Sequence, residues 1–217
     1  MTKANNSLKV YKDIRMAKIF LLGIISGFPW VLIATGLSLW LKEEGLSRST
    51  IGWAGLIFSV YAINFLWAPI IDNLKIPFLF LRFGRRKSWI ILCQLIIFLS
   101  LLAWGQINPA NNLHLIIGVG LIIAIFSATQ DIAIDALRIE QVKKQEKEVM
   151  AAGAAMAVIG WWTGYKVGGV VALYLAEALQ EMGFENYWEI TFSVLCCILF
   201  LSCLALLTVK EATPNLE

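Results

Sequence analysis

Charged residues are scarce in this sequence. Of its 217 residues only 15% are Asp, Glu, Lys or Arg, whereas 59% are hydrophobic, and the mean hydropathy is +0.74. Soluble domains contain about 45–50% apolar and about 25% charged residues, so too little polar surface is present for a water-soluble globule. Intrinsic disorder is excluded as well, because it requires low hydrophobicity and high net charge. The composition predicts an all-α membrane protein.

Residues that bind metals or form disulfides are also few. The four cysteines lie in apolar runs without Cys-x-x-Cys or Cys/His spacing, and the sole histidine, His114, lies at the edge of an apolar run. We expect buried packing thiols and an interfacial histidine. The sequence therefore predicts no zinc site, no disulfide framework and no cofactor.

Six apolar runs are long enough to cross a bilayer, whose hydrocarbon core requires about 20 residues of helix. The basic stretch before the first run resembles the start of a signal peptide, but the run is too long and lacks a cleavage site, so we interpret it as a retained helix. The sequence predicts a basic tail over residues 1–18, a six-helix bundle over 19–208 and a second tail over 209–217. The six predicted spans are residues 19–41, 51–71, 88–107, 113–137, 149–175 and 187–207.

Lys and Arg are distributed unevenly between the predicted loops. Fifteen lie in the two tails, the loop between spans two and three and the loop between spans four and five, and only two lie in the alternate loops. Because positively charged loops remain on the cytoplasmic side, this bias predicts that both termini are cytoplasmic. The net charge of +3 therefore reflects topology, and no nucleic-acid partner is indicated.

Two aspartates fall in the fourth predicted span, where an ionisable group is costly and usually marks a functional site. The spacing of Asp131, Asp135 and Arg138 places all three on one helix face. With Gln130, the aspartates would line a hydrophilic substrate path, and two neighbouring carboxylates suit proton coupling. The alternative is that Asp135 pairs with Arg138 and only fixes the helix end.

One lysine, Lys166, lies in the fifth predicted span, too deep to reach the interface easily. It is either a cation that faces an anionic substrate or a structural partner of an aspartate in the fourth span. The same span carries Gly160, Gly164 and Gly168 at four-residue intervals, a spacing that lets another helix backbone approach closely.

An acidic residue at the end of the second span is followed by a turn glycine and clustered basic residues. Asp72 closes the stretch FLWAPIID, and Gly84 opens the stretch GRRKSW. We interpret Asp72, Arg85 and Arg86 as a cytoplasmic charge latch. On the charge bias alone, these residues would be only a positive-inside loop.

The combination of spans, latch and intramembrane aspartates resembles the major facilitator superfamily, and within it the AmpG-type muropeptide permeases and their relatives, the acetyl-CoA transporters. The residues that carry the resemblance extend over nearly the whole chain: SGFP at 26–29, FLWAPIID at 65–72, GRRKSW at 84–89 with Gln94, SATQDIAID at 127–135, AGAA at 152–155 and GYKVG at 164–168.

The resemblance implies a bacterial inner-membrane permease that imports peptidoglycan fragments, the anhydro-muropeptides, together with protons. These glycopeptides carry sugar hydroxyls and carboxylates, which suit a cavity of aspartates, Gln130, Lys166 and tryptophans. Two positions depart from the family pattern. Asn73 stands where an arginine usually follows the latch aspartate, and Lys166 stands where an arginine is expected, which loses bidentate carboxylate binding.

Length is the larger departure. A facilitator holds its substrate between two six-helix halves, and this chain resembles the amino-terminal half alone. The resemblance therefore implies a homodimer, a separately encoded carboxyl-terminal half as partner, or a non-functional truncated remnant or assembly partner.

An intramembrane enzyme is the competing class. The Asp-x-x-x-Asp spacing in the fourth span is shared by metal-dependent membrane phosphotransferases, but their upstream Asp-x-x-Asp-Gly-x-x-Ala-Arg element is absent. Aspartyl proteolysis within membranes needs its two aspartates on different helices, and no His-Glu-x-x-His or Gly-x-Ser-x-Gly occurs. We therefore expect a transporter with no catalytic residues and no metal site.

Overall fold

The computed structural model describes residues 9–109, 111–143 and 145–211, and every regular element within these ranges is helical. Residues 1–8 of the predicted basic tail and residues 212–217 of the second predicted tail lie outside them. The helices after the short turn Val10–Lys12 are α1 (Ile14–Glu43), α2 (Arg48–Leu66), α3 (Ala68–Asn73), α4 (Leu79–Phe83), α5 (Arg85–Gly105), α6 (Leu113–Glu140), α7 (Lys147–Glu181) and α8 (Tyr187–Leu206).

Each predicted span corresponds to one long helix, and the second prediction continues into α3. In the described ranges α1, α2, α5, α6 and α8 are long and apolar enough to cross a membrane. At 35 residues, α7 is also long enough, although its glycines, tryptophans and lysines lower its mean hydropathy. Helix α1 begins five residues before its predicted span, because the Asp13 carboxylate accepts a hydrogen bond from the Arg15 amide at 2.9 Å and caps the helix.

Two of the long helices are irregular near their middles. In α1, Pro29 is followed by a π-helical segment at Val31–Gly36, and in α2 a 3-10 segment occupies Gly55–Phe58. Proline lacks an amide proton and disturbs the helical hydrogen bonds around it. Such segments are often found at functional sites, and the sequence patterns did not predict them.

Helices α1 and α7 pack backbone against backbone. A methyl group at Gly27 would overlap the Trp161 carbonyl oxygen, and one at Gly164 would overlap the Ile24 carbonyl oxygen. Glycines at these positions allow the two backbones to meet. The close approach predicted from the glycine spacing in α7 is therefore present, and α1 is the helix that makes it.

The core fixes one face of α1 against α6. Leu22 and Ile25 of α1 and Leu137 of α6 belong to one buried cluster. Because these side chains are fully buried, the helix turn that carries Ser26 is held beside the turn that carries Asp131. All four cysteines are free thiols, and Cys197 is exposed, whereas the sequence predicted buried packing thiols.

Candidate functional site between α1, α6 and α7

Asp131 is half-buried and lies on the face of α6 that meets α1. Ser26 Oγ donates a hydrogen bond to Asp131 Oδ1 at 2.6 Å. Within the described residues Asp131 forms no ion pair. This carboxylate is therefore held by a neutral hydroxyl donor rather than by a cation.

Asp131 and Asp135 open into one cleft of about 260 Å³. Asp135 is exposed and forms an ion pair with Arg138 Nη2 at 2.9 Å, so the two aspartates have different environments. The cleft thus combines a hydroxyl-bound carboxylate, an ion pair and an aromatic ring. Its lining residues are Gly23, Ser26, Asp131, Ile134, Asp135, Arg138, Ala157, Val158 and Trp161.

Gln130 faces away from this cleft. Its side chain is fully buried, and Gln130 Nε2 donates to the Ile25 carbonyl oxygen at 3.1 Å. Thr129 is likewise turned inward, because its hydroxyl accepts a hydrogen bond from Trp67 Nε1 at 3.1 Å. Both residues attach α6 to its neighbours, whereas the sequence predicted that Gln130 lies along a substrate path.

Lys166 and Asp131 are not brought together. Lys166 is exposed on α7 and does not line the Asp131 cleft. Its Nζ lies 5.5 Å from the ring centroid of Trp162 and 5.5 Å from that of Tyr165. Of the two interpretations of this lysine, an ion pair with an aspartate of α6 is not formed in the described structure.

Two cleft residues were not singled out by the sequence. Ser26 was noted only as part of the stretch SGFP, and Trp161 only as one of many tryptophans. A serine in an apolar helix is a weak indication by itself. The glycines at positions 23 and 160 are the stronger indication, because they predict which faces of α1 and α7 come together beside Ser26.

The predicted latch is centred on Arg86. Arg86 is buried in the first turn of α5, and its guanidinium forms ion pairs with Asp72 and, at 3.4 Å, with Glu140 Oε1. Arg85 forms no ion pair among the described residues. One arginine thereby joins the end of α3, the start of α5 and the end of α6. Glu140 was not among the predicted latch residues.

A third acidic residue, Glu211, completes the contacts around the start of α5. Its carboxylate accepts the backbone amide of Arg86 at 2.8 Å and that of Lys87 at 3.0 Å. Lys87 in turn donates from Nζ to the Val209 carbonyl oxygen at 2.8 Å. A carboxylate at a helix amino terminus satisfies free amides and opposes the positive end of the helix dipole. The segment after α8 is thereby attached to α5.

Gly84 makes the turn into α5 possible. Its φ of +89° lies in the region that favours glycine. A Cβ atom at this position would also lie 2.6 Å from the Glu211 carboxyl group. Glycine is therefore required both for the backbone turn and for the approach of Glu211.

The family model of the Major Facilitator Superfamily matches residues 19–217 of this chain. This chain belongs to that superfamily. The predicted membership and the predicted fold class, six transmembrane helices that form one half of a facilitator fold, are confirmed, and the chain is a multi-pass membrane protein.

Curated relatives of this superfamily chain are AmpG permeases. The transporter named AmpG 4 of Rickettsia conorii is 39% identical over 203 residues, which are 94% of this chain and 47% of the relative. The anhydromuropeptide permease of Escherichia coli is 32% identical over 193 residues, which are 88% of this chain and 38% of the relative. The chain spans about half the length, or less, of these relatives.

Proposed function

We propose that this chain forms one six-helix half of a transporter that imports anhydro-muropeptides with protons across a bacterial inner membrane. The name of the Escherichia coli relative, 32% identical over 193 residues, supports the substrate class. The cleft between α1, α6 and α7 supports the transport chemistry, since polar groups within spanning helices mark substrate and ion pathways.

The observation that carries the proposal is the environment of Asp131. Among the described residues, the Asp131 carboxylate accepts a hydrogen bond only from the Ser26 hydroxyl, at 2.6 Å, and no cation pairs with it. A carboxylate fixed by an ion pair must break that pair to accept a proton, whereas a hydroxyl can rotate to donate or to accept. Asp131 is therefore suited both to bind and to release a proton.

The contacts around Arg86 support a change of access. Alternating access requires one six-helix unit to rock against another around a fixed site, and the ends of the helices must be joined by contacts that form and break. The Arg86 pairs with Asp72 and Glu140 join three helix ends of one such unit, and in our proposal they open and close with the change of access. In our proposal Asp72 and Arg86 form the cytoplasmic latch, and Glu140 replaces Arg85 as its third member.

The orientation follows from charge. Fifteen Lys and Arg residues belong to the predicted tails and loops on the latch side, and two belong to the alternate loops, so we assign the latch side to the cytoplasm. Both ends of this chain are then cytoplasmic. The family and the names of the relatives argue for a transporter rather than an enzyme.

The proposed partner is a second six-helix bundle, either a second copy of this chain or a carboxyl-terminal half. Helix α2 supports this, because its side chains form an apolar surface that the described helices leave uncovered. A bundle that encloses a substrate at the midplane needs such a surface on each half. The most exposed apolar residues of α2 are Trp53, Leu56, Phe65 and Leu66, between 58% and 70% exposed.

Uptake of labelled anhydro-muropeptide tests the proposal. Bacteria that lack their own permease would express this chain alone, or with the six-helix carboxyl-terminal half of a relative, at matched levels in the membrane. Uptake by the chain alone indicates a homodimer, and uptake only with the second half indicates a half-transporter. Absence of uptake in both, with the protein inserted, contradicts the proposed function.

A further inference from the structure

Five aromatic rings form a continuous surface across α1, α2 and α7, which we call the aromatic wall: Trp30, Phe58, Tyr61, Trp161 and Tyr165. Trp30 is at its centre, with ring centroids 5.1 Å from Phe58, 4.4 Å from Tyr61 and 5.5 Å from Trp161. Trp161 stacks on Tyr165 at 5.6 Å. All five residues are intermediate between buried and exposed, so the aromatic wall packs against the core and keeps part of its surface exposed.

The depth of the aromatic wall is unusual for a surface that faces lipid. Trp30 lies near the middle of α1, and Tyr165 lies near the middle of α7. Tryptophan and tyrosine that face lipid concentrate at the two interfaces. Partly exposed aromatic rings at the midplane are more consistent with a cavity between two six-helix units than with a surface that faces lipid.

The backbone beside the aromatic wall supports the same interpretation. The π-helical segment Val31–Gly36 begins directly after Trp30, and the 3-10 segment Gly55–Phe58 ends at a wall residue. Irregular backbone at membrane depth is tolerated where it is buried in protein or lines a water-filled cavity. The π-helical segment also carries Thr35, whose hydroxyl lies 3.3 Å from the Tyr165 hydroxyl.

Lys166 adds a positive charge at the edge of the aromatic wall. It is exposed, it has no ion-pair partner among the described residues, and its Nζ lies 5.5 Å from the Tyr165 centroid. Lys166 lies only about 3 Å along the axis from the middle of α7, at 1.5 Å per residue, and the hydrocarbon core is about 30 Å thick. The ammonium therefore cannot reach water at the interface, and it requires a polar cavity or an anion.

We propose that the aromatic wall and Lys166 form the sugar subsite of the transporter, where a pyranose ring lies on the aromatic faces and a carboxylate carried by the glycopeptide pairs with Lys166. This inference rests on the proposed function and deepens it. The C–H face of a pyranose is apolar and fits an aromatic face, and its hydroxyls can reach Thr35 and Tyr165. A lipid acyl chain would use the rings but would leave the ammonium unpaired in hydrocarbon, which is costly.

The subsite is continuous with the candidate proton site. Trp161 belongs to the aromatic wall and also lines the Asp131 cleft. The Trp161 side chain therefore lies between Asp131 and a sugar bound to the aromatic wall. A bound sugar would shift the Trp161 ring and thereby change the environment of the Asp131 carboxylate.

Binding to the purified full chain in detergent tests the subsite. The probes are radiolabelled N-acetylglucosaminyl-anhydro-N-acetylmuramic acid and its methyl ester, measured by equilibrium dialysis. Lys166→Gln should weaken binding of the acid by about tenfold, the scale of one charge-assisted hydrogen bond, and leave the ester unchanged. Lys166→Arg should retain the preference for the acid.

The ring contribution is tested on the same helix. Tyr165→Leu should weaken binding of the acid and the ester equally, whereas Tyr165→Phe keeps the ring and should retain ester binding. Tyr174→Leu is the matched control, because Tyr174 is 69% exposed on α7 and lies outside the aromatic wall. Thermal unfolding of each variant verifies that it is folded.

The outcomes separate the subsite from the proposed function. The subsite is overturned if the wild type and Lys166→Gln prefer the acid over the ester to the same extent. It is also overturned if Tyr174→Leu loses as much binding as Tyr165→Leu. Either result counts against the subsite even where uptake occurs. Displacement of the probe by phospholipid but not by the unlabelled sugar also overturns it and identifies a lipid site. Binding with the expected variant pattern but without uptake supports the subsite and contradicts the transport proposal.

Discussion

Ser26 and Asp131 join α1 to α6 within the membrane through a hydrogen bond of 2.6 Å between Ser26 Oγ and Asp131 Oδ1. Asp135, one helical turn nearer the latch, is instead exposed and paired with Arg138 at 2.9 Å. Two carboxylates on one helix face therefore have different partners. The difference separates a group that can exchange a proton from one that stabilises the helix end.

Replacement of Asp131 by Asn should reduce muropeptide uptake by about tenfold or more, the scale of losing a hydrogen bond to a charged group. The amide keeps the size of the side chain but cannot bind and release a proton. Asp135→Asn is the control, and it should retain most of the uptake, because exposed ion pairs contribute only about 0–1 kcal/mol. Equal losses in both variants, at matched membrane levels, would contradict a special role for Asp131.

Replacement of Gly27 by Ala should lower the stability of the bundle by about 1–3 kcal/mol, the usual effect of overpacking. The added methyl would overlap the Trp161 carbonyl oxygen, so α1 and α7 must separate. Thermal unfolding in detergent measures the change. Gly118→Ala is the matched control: nothing lies within 4 Å of the added methyl, and its stability should equal or slightly exceed that of the wild type.

Arg86→Leu should destabilise the protein by about 1 kcal/mol, because it removes the cation shared by Asp72 and Glu140, whose carboxylates are exposed and screened by water. Arg85→Leu changes the same kind of side chain one residue earlier, where no ion pair is formed among the described residues. It should change stability by less than about 0.5 kcal/mol, as at most surface positions. Chemical denaturation measures the stability of both variants. Equal stability of Arg86→Leu and Arg85→Leu would contradict the assignment of Arg86 as the centre of the latch.

The contacts of Arg15 predict an acid-sensitive contribution to stability. Its guanidinium donates to Asp13 at 2.8 Å and to Glu146 at 2.8 and 3.1 Å. The hydrogen bonds with Arg15 lower the pKa of Asp13 below its usual 3.8, and those with Arg15 and the Lys143 amide lower the pKa of Glu146 below its usual 4.5. The folded state therefore binds protons less readily than the unfolded state.

The stabilisation by these two carboxylates is complete above their usual pKa values and is lost as the pH falls through the lowered values. In Arg15→Gln the thermal stability should therefore fall below that of the wild type at pH 7, and the difference should shrink as the pH is lowered past 3.8. Melting temperatures over this range measure it. A difference that stays constant with pH would contradict the assignment of Arg15 as the partner of both acids.

Sequence reasoning and structure agree best where hydropathy and charge decide. Each apolar run became one long helix, and the glycine spacing in α7 predicted a close helix contact. Arg85 and Arg86 were indistinguishable in the sequence, because both follow the turn glycine. The structure separates them, since only Arg86 is on the α5 face that meets Asp72 and Glu140.

The sequence by itself determined the membrane class, the number of spanning helices and the helix face that carries Asp131, because apolar length and helical periodicity are local properties. The tertiary structure decided which side chains meet. Ser26 reaches Asp131 because the buried contacts of Leu22 and Ile25 fix the rotation of α1 against α6. Lys166 lies at the aromatic wall and not beside Asp131, because the glycines of α7 turn one face toward α1 and leave Lys166 on another. Helix rotation depends on packing between segments distant in the chain, and no single segment encodes it.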